Sequence, residues 1–487
     1  MIISSSLKDF KKKHLSKINQ TIYFSEKFKN KFIIERLIDN FLNEKNSFVF
    51  ESVEKGKIRG RFTIFGKNPD KIWELNNERV ISIINDKKKK LKIKPYVFLN
   101  KLIENFNFAT PKNLPPICSL LSGFFSYDII RYIENIPNSC NDDLKLPDVR
   151  LMRPRSVIIH DNLKKKIHFI VNCYSDEKIN NYKNKFDLIR NDLINLKKIT
   201  SDKNLYIKKK IYRKKISKIK SNMSKKYFKS MVLNAKKQIK IGNIFQVVLS
   251  QRFQTQLTKS PLEIYKKLRI TNPSPFMYFF NFSDFQIIGA SPEILVRLRN
   301  NKVTVRPIAG TRPRGKNKKM DKFYKKDLLK DKKELAEHLM LLDLGRNDVG
   351  KVAKINSVKV TENFKIEKYS HVMHIVSNVE GTFNKKNSKI DTLLSGFPAG
   401  TVSGAPKIKA MEIIDSLEKT KRKVYAGGIG YFSANGDFDT CIALRTALAK
   451  ENKFYVQAGA GIVADSRPEN EYRETVNKAK ALINALR

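Results

Sequence analysis

The octapeptide Phe-Asp-Thr-Cys-Ile-Ala-Leu-Arg (residues 438–445) carries the clearest fold signal in the chain. One set of alternate positions is bulky and mostly apolar: Phe438, Thr440, Ile442 and Leu444. The other set is small or polar: Asp439, Cys441, Ala443 and Arg445. Because successive strand residues face opposite sides, this pattern predicts a half-buried strand with Arg445 at its end. Arg445 either binds the carboxylate of a ligand through two hydrogen bonds or makes an ordinary ion pair within the protein.

A second strand and a long helix are predicted earlier in the chain. Alternation across residues 302–306 predicts a strand that leads into Pro307-Ile308-Ala309-Gly310-Thr311. Residues 329–344 carry two stripes at helical spacing on opposite sides: Leu335, Leu339 and Leu342, and Glu337, Leu341 and Leu344. They predict a helix buried nearly all round, which places Glu337 among apolar residues. A buried carboxylate needs a cation, which is an Arg or Lys partner or a divalent metal.

The last helix is predicted to begin at the capping-box sequence Ser466-Arg-Pro-Glu469. Its packing stripe is Tyr472, Val476, Ala479, Ile483 and Leu486. Glu471 and Glu474 fall off that stripe, and from this helix alone they are expected to be solvated.

Composition bounds the class of protein. The 487 residues are 41% hydrophobic, which excludes wholesale disorder, and their formal net charge is +50. Such a charge suits a nucleic-acid-binding protein, yet lysines such as Lys87–Lys90 and those of 208–220 do not interleave with stacking aromatics. The favoured interpretation is a lysine-rich surface with solvated charges and no specific nucleic-acid partner.

Targeting and redox signals point to a cytoplasmic protein. Cys118, Cys140, Cys173 and Cys441 lie far apart, so reduced thiols are expected rather than a disulfide scaffold or zinc site. We expect no membrane association, since neither a signal peptide nor an apolar span is evident. Differences in amino-acid composition divide the chain into three parts. They are an N-terminal region (1–176), a lysine-rich connecting segment (177–224) and a C-terminal region (225–487).

Two familiar motifs fail their structural requirements. Gly459-Ala-Gly-Ile-Val-Ala464 fits the dinucleotide pattern, but only one helix follows it, without a second strand. His371-Val-Met-His374 lies in a strand-like context, where residues three apart face opposite sides, so a zinc pair is disfavoured. One of these histidines is instead a candidate acid–base group.

Seven blocks in fixed order resemble the chorismate-utilising enzymes, and within them anthranilate synthase component I. They are PIAGTRPRG (307–315), KELAEHLMLLDLGRNDVGKV (333–352), HVMHIVSNVEG (371–381), FPAGTVSGAPKIKAME (397–412), YAGGIGYF (425–432), DTCIALRTA (439–447) and AGAGIVADSRPENEYRETVNKA (458–479). Residues 48–66 and 123–134 extend the likeness into the first half. The resemblance implies an α+β fold, a large sandwich of two packed antiparallel sheets with helices outside. The region 225–487 would bind chorismate, and 1–176 would be regulatory.

The residues at two positions distinguish the reactions that these relatives catalyse. Gln246 stands where the enzymes that add water to chorismate carry a lysine base, so ammonia is the implied nucleophile. Ala309 stands where aminodeoxychorismate synthases read Pro-Ile-Lys-Gly-Thr, which favours anthranilate synthase over that alternative. A nucleic-acid-binding protein on a decayed enzyme scaffold is the remaining alternative.

The resemblance also implies roles for individual residues. Glu337 and Glu474 would hold Mg²⁺, Glu293 would be a general acid with a raised pKa, and His374 would serve the elimination step. Thr401 and Gln246 complete the catalytic set. The chorismate site would comprise Gly310, Thr311, Tyr425, Arg445, Gly459, Ala460 and Gly461.

Regulation and nitrogen supply follow from the same resemblance. Ser52, with Pro275, Phe276 and Met277, would bind tryptophan as a feedback inhibitor, and Phe50 stands where that element carries leucine. No cysteine sits in an amidotransferase nucleophile elbow, so a separate glutamine amidotransferase subunit would supply ammonia. The implied activity is the first committed step of tryptophan biosynthesis.

Overall fold

A computed structural model describes residues 3–28, 33–52, 60–106, 108, 110–201, 218–369 and 372–486. His371, part of the 208–220 lysine run and part of the connecting segment lie outside these ranges.

Helices and strands alternate along the described chain. The helices are α1 (Leu7–Leu15), α2 (Ile33–Phe41), α3 (Pro95–Glu104), α4 (Tyr182–Ser201), α5 (Lys225–Lys240), α6 (Pro261–Thr271), α7 (Lys318–Leu328), α8 (Lys332–Gly350), α9 (Lys389–Ser395), α10 (Lys407–Leu417) and α11 (Pro468–Ile483). The first strands are β1 (Gln20–Lys27), β2 (Ser47–Glu51), β3 (Phe62–Asn76), β4 (Arg79–Ile84), β5 (Lys87–Leu91), β6 (Leu120–Phe125), β7 (Val149–Asp161), β8 (Lys166–Cys173), β9 (Lys220–Ser221), β10 (Gln246–Gln256) and β11 (Phe276–Asn281). The later strands are β12 (Phe285–Ser291), β13 (Ile294–Arg299), β14 (Lys302–Val305), β15 (Ile308–Pro313), β16 (Lys359–Lys368), β17 (Val372–Thr382), β18 (Gly404–Ala405), β19 (Gly428–Ser433), β20 (Phe438–Ile442), β21 (Thr446–Lys450) and β22 (Lys453–Ile462).

The strands form two antiparallel sheets that share two long members. The first sheet runs β1-β8-β7-β3-β2-β11-β12-β21-β22-β10, with β9 and β18 beside β10. The second runs β5-β4-β3-β7-β6-β19-β20-β13-β14-β17, with β15 and β16 flanking β17. The antiparallel sheet architecture with helices agrees with the fold expected from the sequence.

Strands β3 and β7 pass from one sheet to the other. The register between them shifts between Pro69 and Lys71, opposite Arg153 and Pro154. Pro69 and Pro154 cannot donate ladder hydrogen bonds. Asn68, which precedes Pro69, has a φ of 51°. The two strands therefore bend together at this point, and each half joins a different sheet.

Apolar side chains fill the space between the sheets and the space under the helices. Facing residues from the two sheets meet in one cluster, with Phe280 and Ile287 on the first sheet and Phe124 and Ile429 on the second. A second cluster lies between the first sheet and helices α1, α2, α4, α6 and α11. A third lies between the second sheet and helices α3, α8 and α9. The arrangement is a sandwich whose outer faces are covered by helices.

The structure corrects three local predictions. The helix predicted over 329–344 spans Lys332–Gly350 and is buried on one side only, because Leu339 is 50% exposed. The strand predicted over 438–445 ends at Ile442. Ser466 does not cap α11: Arg467 is the N-cap residue without a side-chain hydrogen bond, and Ser466 Oγ accepts from the Val463 N–H.

Two further regional predictions concern the surface and the division of the chain. The four lysines of β5, Lys87–Lys90, are all exposed, as expected for solvated charge. Helix α4, in the predicted connecting segment, packs Ile189 and Leu193 into the cluster beneath the first sheet. The division at 176 and 224 stays a prediction. Among the described helices, none combines the length and apolarity that crossing a membrane requires.

Candidate active site

A buried carboxyl group lies where β12 passes into β13. Glu293 is 6% exposed, and its Oε1 accepts a hydrogen bond of 3.1 Å from the Thr401 hydroxyl. The Ile308 N–H also donates to this carboxyl. Burial raises the pKa of Glu293 to about 8, against the smaller lowering effect of the two hydrogen bonds. The pKa is thus raised in the direction that the sequence predicted.

A neutral histidine lies on the adjacent strand pair. His374 on β17 is opposite Thr311 on β15, and its Nδ1 lies 3.0 Å from both Gly310 O and Thr311 Oγ1. Because a carbonyl oxygen only accepts, Nδ1 carries the hydrogen, which leaves Nε2 as a free base. Burial and the charge of Arg445 lower the pKa of His374, so the ring is neutral at pH 7.

Gly310 has the backbone conformation that this contact needs. Its φ is +71°, and a Cβ there would lie 3.1 Å from Ile375 Cδ1. A side chain at this position would be strained, so the glycine lets the strand present its carbonyl to His374.

Arg445 follows β20 without continuing the strand. Its φ of 47° breaks the alternation expected from the sequence. The residue lies in the short link between β20 and β21. Within the described part of the chain, no carboxylate forms an ion pair with Arg445. The residue is exposed to solvent, although desolvation by its neighbours lowers the pKa of its guanidinium. This arginine is therefore available to an anion, which favours the first of the two predicted roles.

The glycine-rich segment lies inside β22, which explains why it is no dinucleotide turn. A Cβ on Gly459 would approach Tyr425 Oη to 2.7 Å, and one on Gly461 would approach Gln246 Nε2 equally closely. Ala460 between them is fully buried in the opposite direction. The two glycines thus admit the side chains of Tyr425 and Gln246 against the backbone. Burial raises the pKa of Tyr425 to about 12.

We call Gly459, Ala460 and Gly461 of β22 the glycine wall. Glu337, on α8, contacts this wall through the side chain of Gln246. Gln246 Nε2 donates to Glu337 Oε1 at 3.2 Å, and Gln246 Oε1 is buried without a hydrogen-bond partner. Glu337 is only partly buried, and it forms no ion pair with the described lysines and arginines. The alternative of a buried Arg or Lys partner is therefore wrong for the described residues.

Glu474 approaches the same wall from α11. Its carboxylate pairs with Lys478 at 2.6 Å, and Lys478 Nζ donates to Gly459 O at 3.0 Å. The side chain is 46% exposed, as the helix alone predicted, and its charge contributes to the raised pKa of Tyr425.

Sequence reasoning missed Glu334 on α8 and predicted a solvated Glu471 on α11, whereas Glu471 is partly buried. Glu334 lies one turn before Glu337, and burial together with the Glu337 charge raises its pKa. Burial and the Glu474 charge raise the pKa of Glu471 in the same way, and Lys333 on α8 partly offsets this. The signal was the i, i+3 spacing in Glu-Leu-Ala-Glu and Glu-Tyr-Arg-Glu. The first turns of α8 and α11 therefore influence each other electrostatically.

These carboxylates suit a hard divalent cation. Mg²⁺ prefers oxygen ligands and usually takes only one or two carboxylates, with substrate and water completing its coordination. Among the described residues, no group of three or more His, Cys, Asp and Glu could hold a metal alone. Two carboxylates are the usual protein ligand set for such an ion, and Glu337 and Glu474 stay its predicted ligands.

A separate cavity of about 890 Å³ lies beside β2 and β11. Its lining includes Ser52, Pro275, Phe276 and Met277, the four residues expected to bind tryptophan. Pairing of Met277 with Glu51 brings the two sequence segments together. Ser52 Oγ is buried there without a hydrogen-bond partner. Glu51 itself is occupied, because its carboxylate accepts from Arg269 Nε at 2.8 Å.

Curated relatives cover nearly the whole chain. Anthranilate synthase component 1 of Cereibacter sphaeroides is 47% identical over 448 residues, covering 90% of this chain and 89% of the relative. The Acetivibrio thermocellus protein of the same name is 45% identical, covering 92% of each.

Solved structures agree with the fold. Anthranilate synthase component I from Streptococcus pneumoniae TIGR4 superposes with a TM-score of 0.78 at 38% identity, covering 88% of this chain and 94% of that one. The menaquinone-specific isochorismate synthase MenF from Escherichia coli, at 18% identity and a TM-score of 0.71, shares the fold over 99% of each chain. The family described as chorismate binding enzyme matches residues 46–484. The chain therefore belongs to the chorismate-binding enzyme family, together with the anthranilate synthase component 1 proteins.

Proposed function

We propose that this chain is an anthranilate synthase, a lyase that converts chorismate and ammonia to anthranilate, pyruvate and water. One observation carries the proposal: an acid, Glu293, and a base, His374, both hydrogen bond to the backbone of one strand, β15. The Ile308 N–H contacts Glu293, and Gly310 O, two residues on, contacts His374. Anthranilate formation needs both groups, because a hydroxyl must leave before a ring proton is removed.

Glu293 acts as the acid in the first half of the reaction. Ammonia forms a bond to C2 of chorismate, the ring double bonds shift, and the C4–oxygen bond breaks, after which the new ammonium group releases one proton to solvent. Because its pKa is about 8, the Glu293 carboxyl carries a proton at neutral pH and can deliver it to the departing hydroxyl, which leaves as water.

His374 acts as the base in the second half. Its Nε2 takes the C2 proton, the electron pair forms the aromatic ring, and the enolpyruvyl group leaves as pyruvate after protonation. The Gly310 carbonyl holds Nδ1–H and so keeps the correct tautomer.

The substrate would bind to Arg445, which has no ion pair among the described residues, and to the glycine wall. Arg445 would hold the enolpyruvyl carboxylate, together with Tyr425 and the backbone of β22 at Gly459, Ala460 and Gly461. Gly310 and Thr311 would line the ring beside His374, and Thr401 would keep Glu293 oriented.

Glu337 and Glu474 would hold Mg²⁺ opposite the ring carboxylate of chorismate. The bound ion would neutralise negative charge on that carboxylate as the nucleophile adds. Glu337 is oriented for this by its hydrogen bond from Gln246, and Lys478 holds Glu474 near β22.

Nitrogen must reach the site from another source. Burial raises the pKa of the Cys118 thiol to about 11 and those of Cys140 and Cys173 to about 12, and it raises that of Cys441 as well. None of the four is an activated nucleophile that could hydrolyse glutamine. A glutamine amidotransferase subunit would therefore supply ammonia, and the free thiols suit a cytoplasmic location.

Tryptophan would regulate the enzyme from the cavity beside β2. Phe50, Phe276 and Met277 give it an apolar and aromatic lining that suits an indole ring. The unpartnered Ser52 hydroxyl could hydrogen bond the polar end of the amino acid.

The first prediction tests the reaction itself. Purified protein with chorismate, Mg²⁺ and ammonium is expected to form fluorescent anthranilate and pyruvate in equal amounts. An amino product that retains its enolpyruvyl group, without pyruvate, would identify aminodeoxychorismate synthase instead. Sequence-selective nucleic-acid binding that survives about 200 mM salt, without turnover, would support the third alternative.

The second prediction concerns the metal. Glu337→Gln is expected to lower Mg²⁺-dependent turnover by at least about 100-fold, because an amide lacks the charge that binds the cation. Titration with Mn²⁺, followed by electron paramagnetic resonance, should show weakened binding. The control is Glu412→Gln, a partly exposed residue on α10 whose carboxylate, among the described residues, bonds Lys409 at 2.8 Å. Unchanged Mn²⁺ affinity in the Glu337 variant would contradict its role.

The third prediction concerns the acid. The ¹³C-labelled carboxyl of Glu293, assigned by its loss in Glu293→Gln, should titrate near pH 8. Thr401→Val should raise this pKa further, because the Thr401 hydroxyl hydrogen bond favours the carboxylate. The rate should fall as pH rises through the pKa, since the acid then loses its proton. Titration near 4.5 would exclude Glu293 as the proton donor.

The fourth prediction concerns tryptophan. L-tryptophan is expected to slow wild-type anthranilate formation, and Ser52→Phe should weaken the inhibition at least about tenfold by filling the cavity. Each variant is compared with its own uninhibited rate, and L-phenylalanine serves as the ligand control. Equal sensitivity of the two proteins would show that tryptophan does not bind beside Ser52.

A further inference from the structure

A buried ion pair lies behind the candidate active site, between α10 and β19. Arg422 is 3% exposed and Glu418 is 6% exposed. The guanidinium binds the carboxylate through two bonds, Nη2 to Oε1 at 2.5 Å and Nε to Oε2 at 2.9 Å. Such a fork–fork contact fixes orientation as well as distance.

The same two side chains bind the backbone of neighbouring elements. Arg422 Nη1 donates to Val402 O at 2.8 Å, and Nη2 donates to Val248 O at 2.7 Å. Glu418 Oε1 accepts from both the N–H and the hydroxyl of Ser250, at 2.8 and 2.9 Å. The pair therefore fixes the loop at 400–402 and the strand β10 relative to each other.

Each attachment lies next to a residue of the candidate site. Val402 follows Thr401, which holds Glu293, and Val248 is two residues beyond Gln246, which holds Glu337. The guanidinium carbon also lies 5.6 Å from the ring centroid of Tyr425.

Stability alone gives a poor account of this arrangement. Removing two charges from water is costly, and well-packed apolar residues can replace a buried ion pair with no loss of stability. A fixed cation with four directed hydrogen bonds does something that apolar packing cannot: it sets the distances between three separate backbone segments.

We propose that Arg422, oriented by Glu418, is a positioning residue that aligns Thr401, Tyr425 and Gln246 for the reaction without touching the substrate. The inference rests on the proposed function. Lysine cannot reproduce the role, because a single ammonium group cannot hold Glu418, Val402 and Val248 in the same fixed geometry.

The experiment compares Arg422→Lys with Arg153→Lys. Arg153 is a matched control: it is 8% exposed, its Nε binds Asp70 at 2.8 Å, and its guanidinium lies 3.8 Å from the Tyr174 ring. It bonds none of the candidate site residues, and Arg153→Lys leaves the prolines and the backbone pairing of the β3–β7 bend in place. Both variants are checked for folding by circular dichroism and thermal unfolding, and full-length protein is used throughout.

Arg422→Lys is expected to lower kcat/KM for chorismate by about 100-fold, the effect of a displacement of roughly 1 Å at a reacting group. It should also shift the Glu293 carboxyl titration upward, as Thr401→Val does. Combining the two changes should add no further shift, because both remove the same contact. Arg153→Lys should lose stability while it retains the wild-type titration and kcat/KM.

Three outcomes would overturn the inference: a folded Arg422→Lys protein with wild-type kcat/KM and Glu293 titration, shifts that add in the double variant, or an equal loss in Arg153→Lys. If Arg422→Lys does not fold, Glu418→Gln receives the same measurements, and wild-type values there would also overturn it. If wild-type protein forms no anthranilate, the proposed function fails, and the Glu293 titration still decides whether Arg422 positions Thr401.

Discussion

Two bent strands, β3 and β7, hold the two sheets at the separation on which the candidate site depends. Gln246 and the glycine wall of β22 belong to the first sheet, whereas His374 and Thr311 belong to the second. Antiparallel pairing on both sides of the bend means that neither sheet can shift without breaking ladder hydrogen bonds in the other. The side chains between the sheets, such as Phe280 and Phe124, fill the remaining space and fix the spacing. Catalytic groups from both sheets can therefore meet at fixed distances.

The charges within the site differ from those on the surface. The net charge of +50 resides largely in exposed lysines such as those of β5. Inside the site, burial raises the pKa values of Glu334 and Glu471, and the charges of Glu337 and Glu474 raise them further, which is a repulsion that a divalent cation would relieve. Glu293 differs from these residues, because burial alone raises its pKa, without a contribution from a neighbouring charge. The two roles proposed for carboxyl groups, binding a cation and carrying a proton, therefore fall on residues in different electrostatic environments.

Local patterns predicted the elements well and their side-chain environments less well. Alternation located β14 and β20, and helical spacing located α8, because periodicity follows directly from backbone geometry. Burial of α8 was overestimated, since Leu339 stays exposed even though it continues an apolar stripe. The turn at Arg445 and the N-terminus of α11 depend on contacts from distant segments, which no local pattern contains. The buried pair of Arg422 and Glu418 gave no signal for the same reason: its hydrogen-bond partners come from residues 248, 250 and 402.

The cavity beside β2 and the acid Glu293 share part of their surroundings. Pro292, which immediately precedes Glu293, lines the cavity, and so does Ile308, whose N–H binds the Glu293 carboxyl. A molecule that moved Ile308 on entering the cavity would alter the proton affinity of the acid. Thermodynamic reciprocity then requires that protonation of Glu293 alter the affinity for that molecule by the same factor. Occupancy of the cavity would therefore vary with pH across the range in which the acid titrates, without any titratable group on the ligand itself.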